Sequence, residues 1–219
     1  MSHPFEAQLA HIRETLLLMS SLTDRSLSLA VRAVVERDDA LADLVEASDS
    51  EIDQLEVTVD DLIVTYMATH GPIARDSRLM LIASKISSDL ERIADQATTI
   101  ARRARALNKE PQLVVVTDIP VMATMTQEVL RDAITSFVEG RFEIAQAIIP
   151  RDKEIDELNR RIAKKLIALM IEHPENVTRS VHLMIIAKAI ERAADHAQNI
   201  AEEVFYLYKG QDIRHEQNP

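Results

Sequence analysis

Four pairs of acids with three residues between them carry the chemistry in this 219-residue chain: Asp49/Asp53, Glu91/Asp95, Asp152/Asp156 and Glu191/Asp195. Helix positions i and i+4 share a face, so each pair aims two carboxylates in one direction. One such pair means little. With 36 acids in the chain several arise by chance, and like charges at that spacing cost a helix only about 0.2–0.5 kcal/mol. Placement carries more, because two pairs fall in each half of the chain at equivalent positions. If a helical bundle sets both pairs of one half side by side, four carboxylates converge and need a cation. Oxygen-only donors suit magnesium, manganese or iron, whereas zinc prefers an added imidazole. His196, Asn199 and Glu202 follow Asp195 and are possible secondary ligands. The first half has Gln96, Thr99 and Arg102 at those places, which offers fewer donors and adds a positive charge. A solvated acidic face inherited with a repeat is the competing reading.

The repeat itself is plain. Shifted by 100, residues 90–101 lie over residues 190–201 with seven of twelve identical, including Glu91-Arg92 over Glu191-Arg192 and Asp95 over Asp195. Upstream the shift becomes 103, and Asp49-Ser50-Glu51-Ile52-Asp53-Gln54-Leu55 lies over Asp152-Lys153-Glu154-Ile155-Asp156-Glu157-Leu158 with five of seven identical. The change in shift falls at Gly71-Pro72-Ile73 against Pro174, where a loop tolerates insertion.

The elements that must position these acids are helices. Three glycines in 219 residues cannot serve the many turns of a β protein, and Ala, Leu, Glu, Arg and Ile favour helix. Gly71-Pro72, the stretch from Asn108 to Pro120, Gly140, Pro174 and Gly210 mark the breaks, and Arg37-Asp38-Asp39 suits a helix end followed by a helix start. The spacing predicts six long helices over about 4–36, 39–70, 74–107, 120–139, 142–172 and 175–209. Stripes such as Ile86, Leu90, Ile93, Ala97 and Ile100 recur at steps of three and four and form core. Pro150 should kink the fifth helix or delay its regular part. The fold class is therefore all-α: two tandem three-helix up-down bundles related by an internal repeat. The first covers 1–108, a linker 109–119 and the second 120–219. Leu113-Val114-Val115-Val116 in the linker suits a short extended stretch.

Composition excludes several functions. The formal net charge of −11 argues against a nucleic-acid partner and against adsorption to anionic lipid. No apolar run reaches the roughly 18–20 residues of a membrane span, so direct membrane insertion is not expected. There is no Cys, hence no disulfide and no thiolate metal site. The N-terminus lacks the basic-then-apolar order of a signal peptide, and a cytoplasmic location is expected. A ferritin-like di-metal oxidase needs Glu-x-x-His on two helices. None of the seven His has Glu three residues before it, which counts against that enzyme. A metal-free helical interaction module is the other alternative.

On these residues the chain resembles the PhoU family of bacterial phosphate-transport regulatory proteins, from Phe5 to about Tyr208. The resemblance rests on Glu36-Arg37-Asp38, Ser48 to Asp53, Pro72 to Leu79, Asp89 to Asp95, Pro174-Glu175-Asn176, Ile186-Ala187-Lys188 and above all Ile190 to Glu202. The family commonly has Gly where Ala94 and Ala194 stand, and His and Asn-x-x-Glu where Gln96, Thr99 and Arg102 stand. The resemblance implies two three-helix bundles about a pseudo-two-fold axis, frequent homodimers, and metal at the acid-x-x-x-acid motifs, in some members as iron or zinc clusters. It further implies a non-enzymatic negative regulator of the phosphate-starvation response. That regulator links the ATPase subunit of the Pst phosphate ABC transporter to a phosphate-sensing histidine kinase and modulates phosphate uptake. The metal-site candidates carried over are Asp49, Asp53, Glu91, Asp95, Asp152, Asp156, Glu191 and Asp195, for divalent or trivalent iron, zinc, manganese or magnesium.

Overall fold

The computed structural model describes residues 4–71, 74–113 and 118–211. Among them every regular element is a helix: α1 Pro4–Glu36, α2 Asp39–His70, α3 Ala74–Asn108, α4 Asp118–Glu139, α5 Phe142–Ile148, α6 Asp152–Glu172 and α7 Val177–Lys209. Residues 114–116 of the expected extended stretch lie outside the described residues. Leu113 is described and packs, partly buried, against the core.

Two residues separate α1 from α2. Arg37 takes φ 58°, in the left-handed region, and Asp38 caps α2 by accepting from the Ala40 amide at 2.9 Å. The Arg37 guanidinium reaches across to donate to the carbonyls of Leu107, Asn108 and Glu110. Those carbonyls belong to and follow the last turn of α3, which helix geometry leaves without intrahelical partners. The short α1–α2 connection thus also fixes where α3 ends. Gly71, with φ 53°, closes α2 in the left-handed conformation favoured at helix C-termini.

In the second repeat the counterpart of α2 is broken where its proline requires. Pro150 has no amide to donate and its ring clashes with the preceding turn. The chain therefore leaves α5, makes a single 3-10 turn over Ile149–Arg151, and starts again as α6 at Asp152. A second 3-10 turn, Pro174–Asn176, precedes α7. At the end of α4 the turn through Gly140 (φ 69°) is closed by the Arg141 amide on Ser136 O and by Ser136 Oγ on Arg141 O, at 3.1 and 2.9 Å.

Packing joins the two repeats into one continuous core. α3 lies against α1 and α2, while α7 lies against α4, α5 and α6. Across the repeats α3 packs on α7 and α1 on α4, so equivalent helices meet, as a pseudo-two-fold axis demands. Small residues allow the central approach: Ala83, Ala94, Ala97, Ala101, Ala187, Ala193, Ala194, Ala197 and Ala201 are all buried. Larger ones such as Ile86, Leu90, Ile93, Ile186, Ile190 and Ile200 fill the layers between. α2 and α6 are left at the two outer edges, each exposing one long face.

Gly140 and Gly71 separate two effects. Both have positive φ, but a Cβ on Gly140 would stand 3.2 Å from the Tyr208 hydroxyl, whereas one on Gly71 meets nothing within 4 Å. Gly71→Ala is expected to cost about 1 kcal/mol, the left-handed penalty alone. Gly140→Ala must also displace Tyr208, whose hydroxyl donates to Phe137 O at 3.3 Å. Thermal unfolding of both variants checks this: the Gly140 variant should melt lower than the Gly71 variant.

Candidate functional site

Each outer helix meets the central helix of its repeat along a seam, and the predicted acids line both seams. In the first, α2 supplies Asp49 and Asp53, and α3 supplies Glu91 and Asp95. Burial comes first among the causes that push the Glu91 carboxyl up to about 7, followed by the negative charges of Asp95, Glu56 and Asp53. Asp53 is also raised, by burial and then by Asp49 and Asp95. These mutual effects place the four carboxylates in one electrostatic cluster. Thr98 Oγ1 donates to Asp49 Oδ1 at 3.1 Å.

The second seam, between α6 and α7, is more enclosed. Glu191 is buried and paired with Lys188. Burial again leads in raising Asp195 to about 7, reinforced by Glu191, Asp152 and Asp156. Asp152 is raised by burial and by Asp156 and Glu191, while a hydrogen bond with Asp195 pulls the other way. Asp152 Oδ1 is buried without a hydrogen-bond partner. Arg160 lies 3.4 Å from Asp156 at the solvent side.

All eight predicted carboxylates therefore sit on the two seams, four to each. The secondary residues divide. Glu202 shares the seam side of α7 and accepts from Gln198 Nε2 at 3.0 Å. His196 turns instead toward the other repeat, with Nδ1 2.9 Å from Asp89 Oδ1 of α3. Asn199 lines an open groove with Lys85, Ser88, Asp89 and Glu203. In that groove Lys85 Nζ lies 2.7 Å from Glu203 Oε1, so two polar pairs tie α3 to α7. Arg102, the positive residue at the first-repeat position of Glu202, engages Glu46 at 3.7 Å, and Arg105 pairs with Asp43 and Glu46.

Reasoning from spacing missed Glu56, which joins the first cluster and is raised by burial and then by Asp60 and Asp53. Its signal was available: Glu56 follows Asp53 by three and precedes Asp60 by four, the seam spacing of α2. The Asp89–His196 and Lys85–Glu203 pairs carried no local signal, since they join residues more than 100 positions apart.

The donor set suits a hard cation: it is all carboxylate oxygen, and one of those oxygens, Asp152 Oδ1, is orphaned in a buried place. Among the described residues no group of three or more His, Asp or Glu side chains is already arranged to hold a metal ion. Ligation would thus require the carboxylates to turn about their own helix positions and displace contacts such as Glu191–Lys188.

The PhoU domain model matches the chain twice, at residues 16–104 and 119–204. The chain belongs to the PhoU family. A curated relative from Pseudomonas putida, the phosphate-specific transport system accessory protein PhoU homolog, is 35% identical over 98% of this chain and 84% of its own length. The crystal structure of PhoU from Pseudomonas aeruginosa superposes with TM-score 0.92 at 32% identity, covering 94% of this chain and 100% of that one. The phosphate transport system regulatory protein PhoU from Streptococcus pneumoniae gives TM-score 0.89 at 26% identity over 95% and 98%. Ala94 and Ala194 are both 2% exposed, so the central packing accommodates their methyl groups.

The raised carboxyls predict a pH dependence with a definite sign. Asp195 binds its proton near pH 7 when folded but near the ordinary 3.8 when unfolded. The folded chain therefore holds more protons between those values, and stability from this group is full below about 4 and lost as pH rises through 7. Asp195→Asn, neutral throughout, should leave the melting temperature unchanged near pH 4 and raise it increasingly up to pH 8. Differential scanning calorimetry across that range, without divalent ions, reads the outcome.

Proposed function

We propose that this protein is an accessory regulator of phosphate-specific transport, a non-enzymatic adaptor that restrains the phosphate-starvation response. It does so by docking on the ATPase subunit of the Pst phosphate transporter and on a phosphate-sensing histidine kinase, and so modulates phosphate uptake. The observation that carries this reading is full-length similarity, through both repeats, to proteins named as accessory or regulatory components of phosphate transport. Among the described residues no helix is long and apolar enough to cross a membrane, which suits a protein that meets a transporter from the cytoplasm. It is proposed to work there as a homodimer.

The acid seams are proposed to hold divalent or trivalent cations, with Asp49, Asp53, Glu91 and Asp95 serving one and Asp152, Asp156, Glu191 and Asp195 the other. A bound cation would offset the mutual repulsion that raises Glu91 and Asp195. Iron, manganese and magnesium fit the all-oxygen donors. Zinc fits less well, because His196 is engaged by Asp89.

Affinity capture from cells grown in high and low phosphate tests the adaptor. The transporter ATPase, the kinase or both should be recovered in a phosphate-dependent manner, and deletion of the gene should leave phosphate-starvation genes expressed in high phosphate. Recovery of neither partner in either condition, with normal repression after deletion, would remove this reading.

A further inference from the structure

The two outer helices descend from one repeat but have diverged in charge. From Asp49 to His70 the chain has six acids and no Lys or Arg, while the matched stretch from Asp152 to His173 has five of each. Arg161 and Lys165 turn to Asp118 of α4, and the rest of the divergence includes the outward faces. Val57, Asp61 and Val64 of α2 stand where Arg160, Lys164 and Ile167 stand on α6.

The α2 face is also apolar. Val57 is 52% exposed, Val64 67% and Leu81, across the seam on α3, 53%. Val57 and Val64 are seven apart, two turns on one side of the helix. Asp60 Oδ1 accepts from Ser84 Oγ at 3.0 Å, which locks the two antiparallel helices in register there. One turn further toward the Gly71 end, Val64 on α2 and Leu81 on α3 then stand at the same level. The result is a strip of exposed aliphatic side chains running two turns along α2 and across to α3, with Asp53, Glu56, Asp60 and Asp61 beside it on α2. Lower on the same helix Asp43 and Glu46 are paired with Arg105 and Arg102, whereas Asp53, Glu56, Asp60 and Asp61 form no ion pair among the described residues, and Arg92 acts on Glu56 at longer range.

From this we infer that the outward α2–α3 face, centred on Val57, Val64 and Leu81, is a docking surface for a basic amphipathic helix of a partner protein. The partner's apolar residues would cover the aliphatic strip, and flanking Lys and Arg would meet the acids on either side. Charge selects the occupant. An acidic or neutral helix would leave the border acids desolvated and unpaired, and the α6 face, with Arg160 and Lys164 in the corresponding places, would repel the basic segment. The inference deepens the adaptor reading and rests on it for the partner's identity: a duplicated scaffold with one acidic and one mixed-charge edge can hold two different proteins without their competing.

A labelled Leu/Lys amphipathic peptide, a Leu/Glu counterpart and the full-length chain provide the test. Binding is followed by fluorescence anisotropy in about 50 and 200 mM salt. The Leu/Lys peptide should bind the unaltered protein, more weakly at higher salt, and the Leu/Glu peptide should not. Val57→Ser/Val64→Ser, both exposed changes that leave the core intact, should weaken binding about tenfold, and Asp60→Asn/Asp61→Asn should weaken it and flatten its salt dependence. Ile167→Ser/Ile171→Ser on α6 should change nothing. Equal binding by the Val57/Val64 variant overturns the inference, as does equal loss in the Ile167/Ile171 variant. Sedimentation in which the α2 changes abolish only self-association, with peptide binding intact, assigns the face to a second copy of the chain and likewise overturns it. Capture of the transporter ATPase and the kinase by the same variants separates this from the functional reading. If the unaltered protein captures a partner and the α2 variant captures it equally, the docking surface is wrong and the adaptor stands. If the unaltered protein captures neither, the adaptor fails whatever the peptide shows.

Discussion

The close approach of α3 and α7 sets where every other part of the molecule goes. Both central helices are rich in buried alanines, which keep their profiles narrow, and the Lys85–Glu203 and Asp89–His196 contacts fix their register. Each central helix uses one side for that contact. Its remaining sides take the other helices of its own repeat, which pushes α2 and α6 to the edges. The acids on α3 and α7 are then held against those on α2 and α6, partly screened from water and close to one another. The raised carboxyls of Glu91 and Asp195 are consequences of that packing.

The two seams illustrate how duplication preserves a constraint while releasing its surroundings. All four acid pairs persist, yet the outer helix of the second repeat restarts at Asp152 after a proline, and its outer face carries Arg160 and Lys164 where α2 has Val57 and Asp61. If the pairs were only a solvated pattern, they would be free to drift as the neighbouring positions have. Their retention in both copies fits the proposal that the carboxylates share a ligand. The proposed cation would supply what the seams lack, since Arg92, Lys188 and Arg160 each reach only part of a cluster.

Much of the fold was legible in the chain because its breakers are so few. Gly71, Gly140, Pro174 and Gly210 each stand at a helix boundary, and Pro150 divided the fifth helix as its chemistry requires. The seam acids were legible because helical spacing and the repeat agreed. His196 was read by its closeness to Asp195 along the chain. Adjacent helical residues point about 100° apart, however, so His196 faces α3 while Asp195 faces α6. The Arg37 cap on α3 was hidden for a different reason: it joins residues some 70 positions apart, and nothing local to Arg37 names its carbonyl partners.

The most direct test of the proposed cation sites is the metal content of untagged protein purified without chelators, measured by mass spectrometry. It should be compared with an Asp152→Asn/Asp195→Asn variant that melts no lower than the unaltered chain. The account predicts metal bound to the unaltered chain, a reduced amount in the variant, and a melting temperature that rises with added manganese at about pH 7.5, as binding to the folded state requires. Metal-free protein whose melting temperature no divalent or ferric ion moves would contradict it.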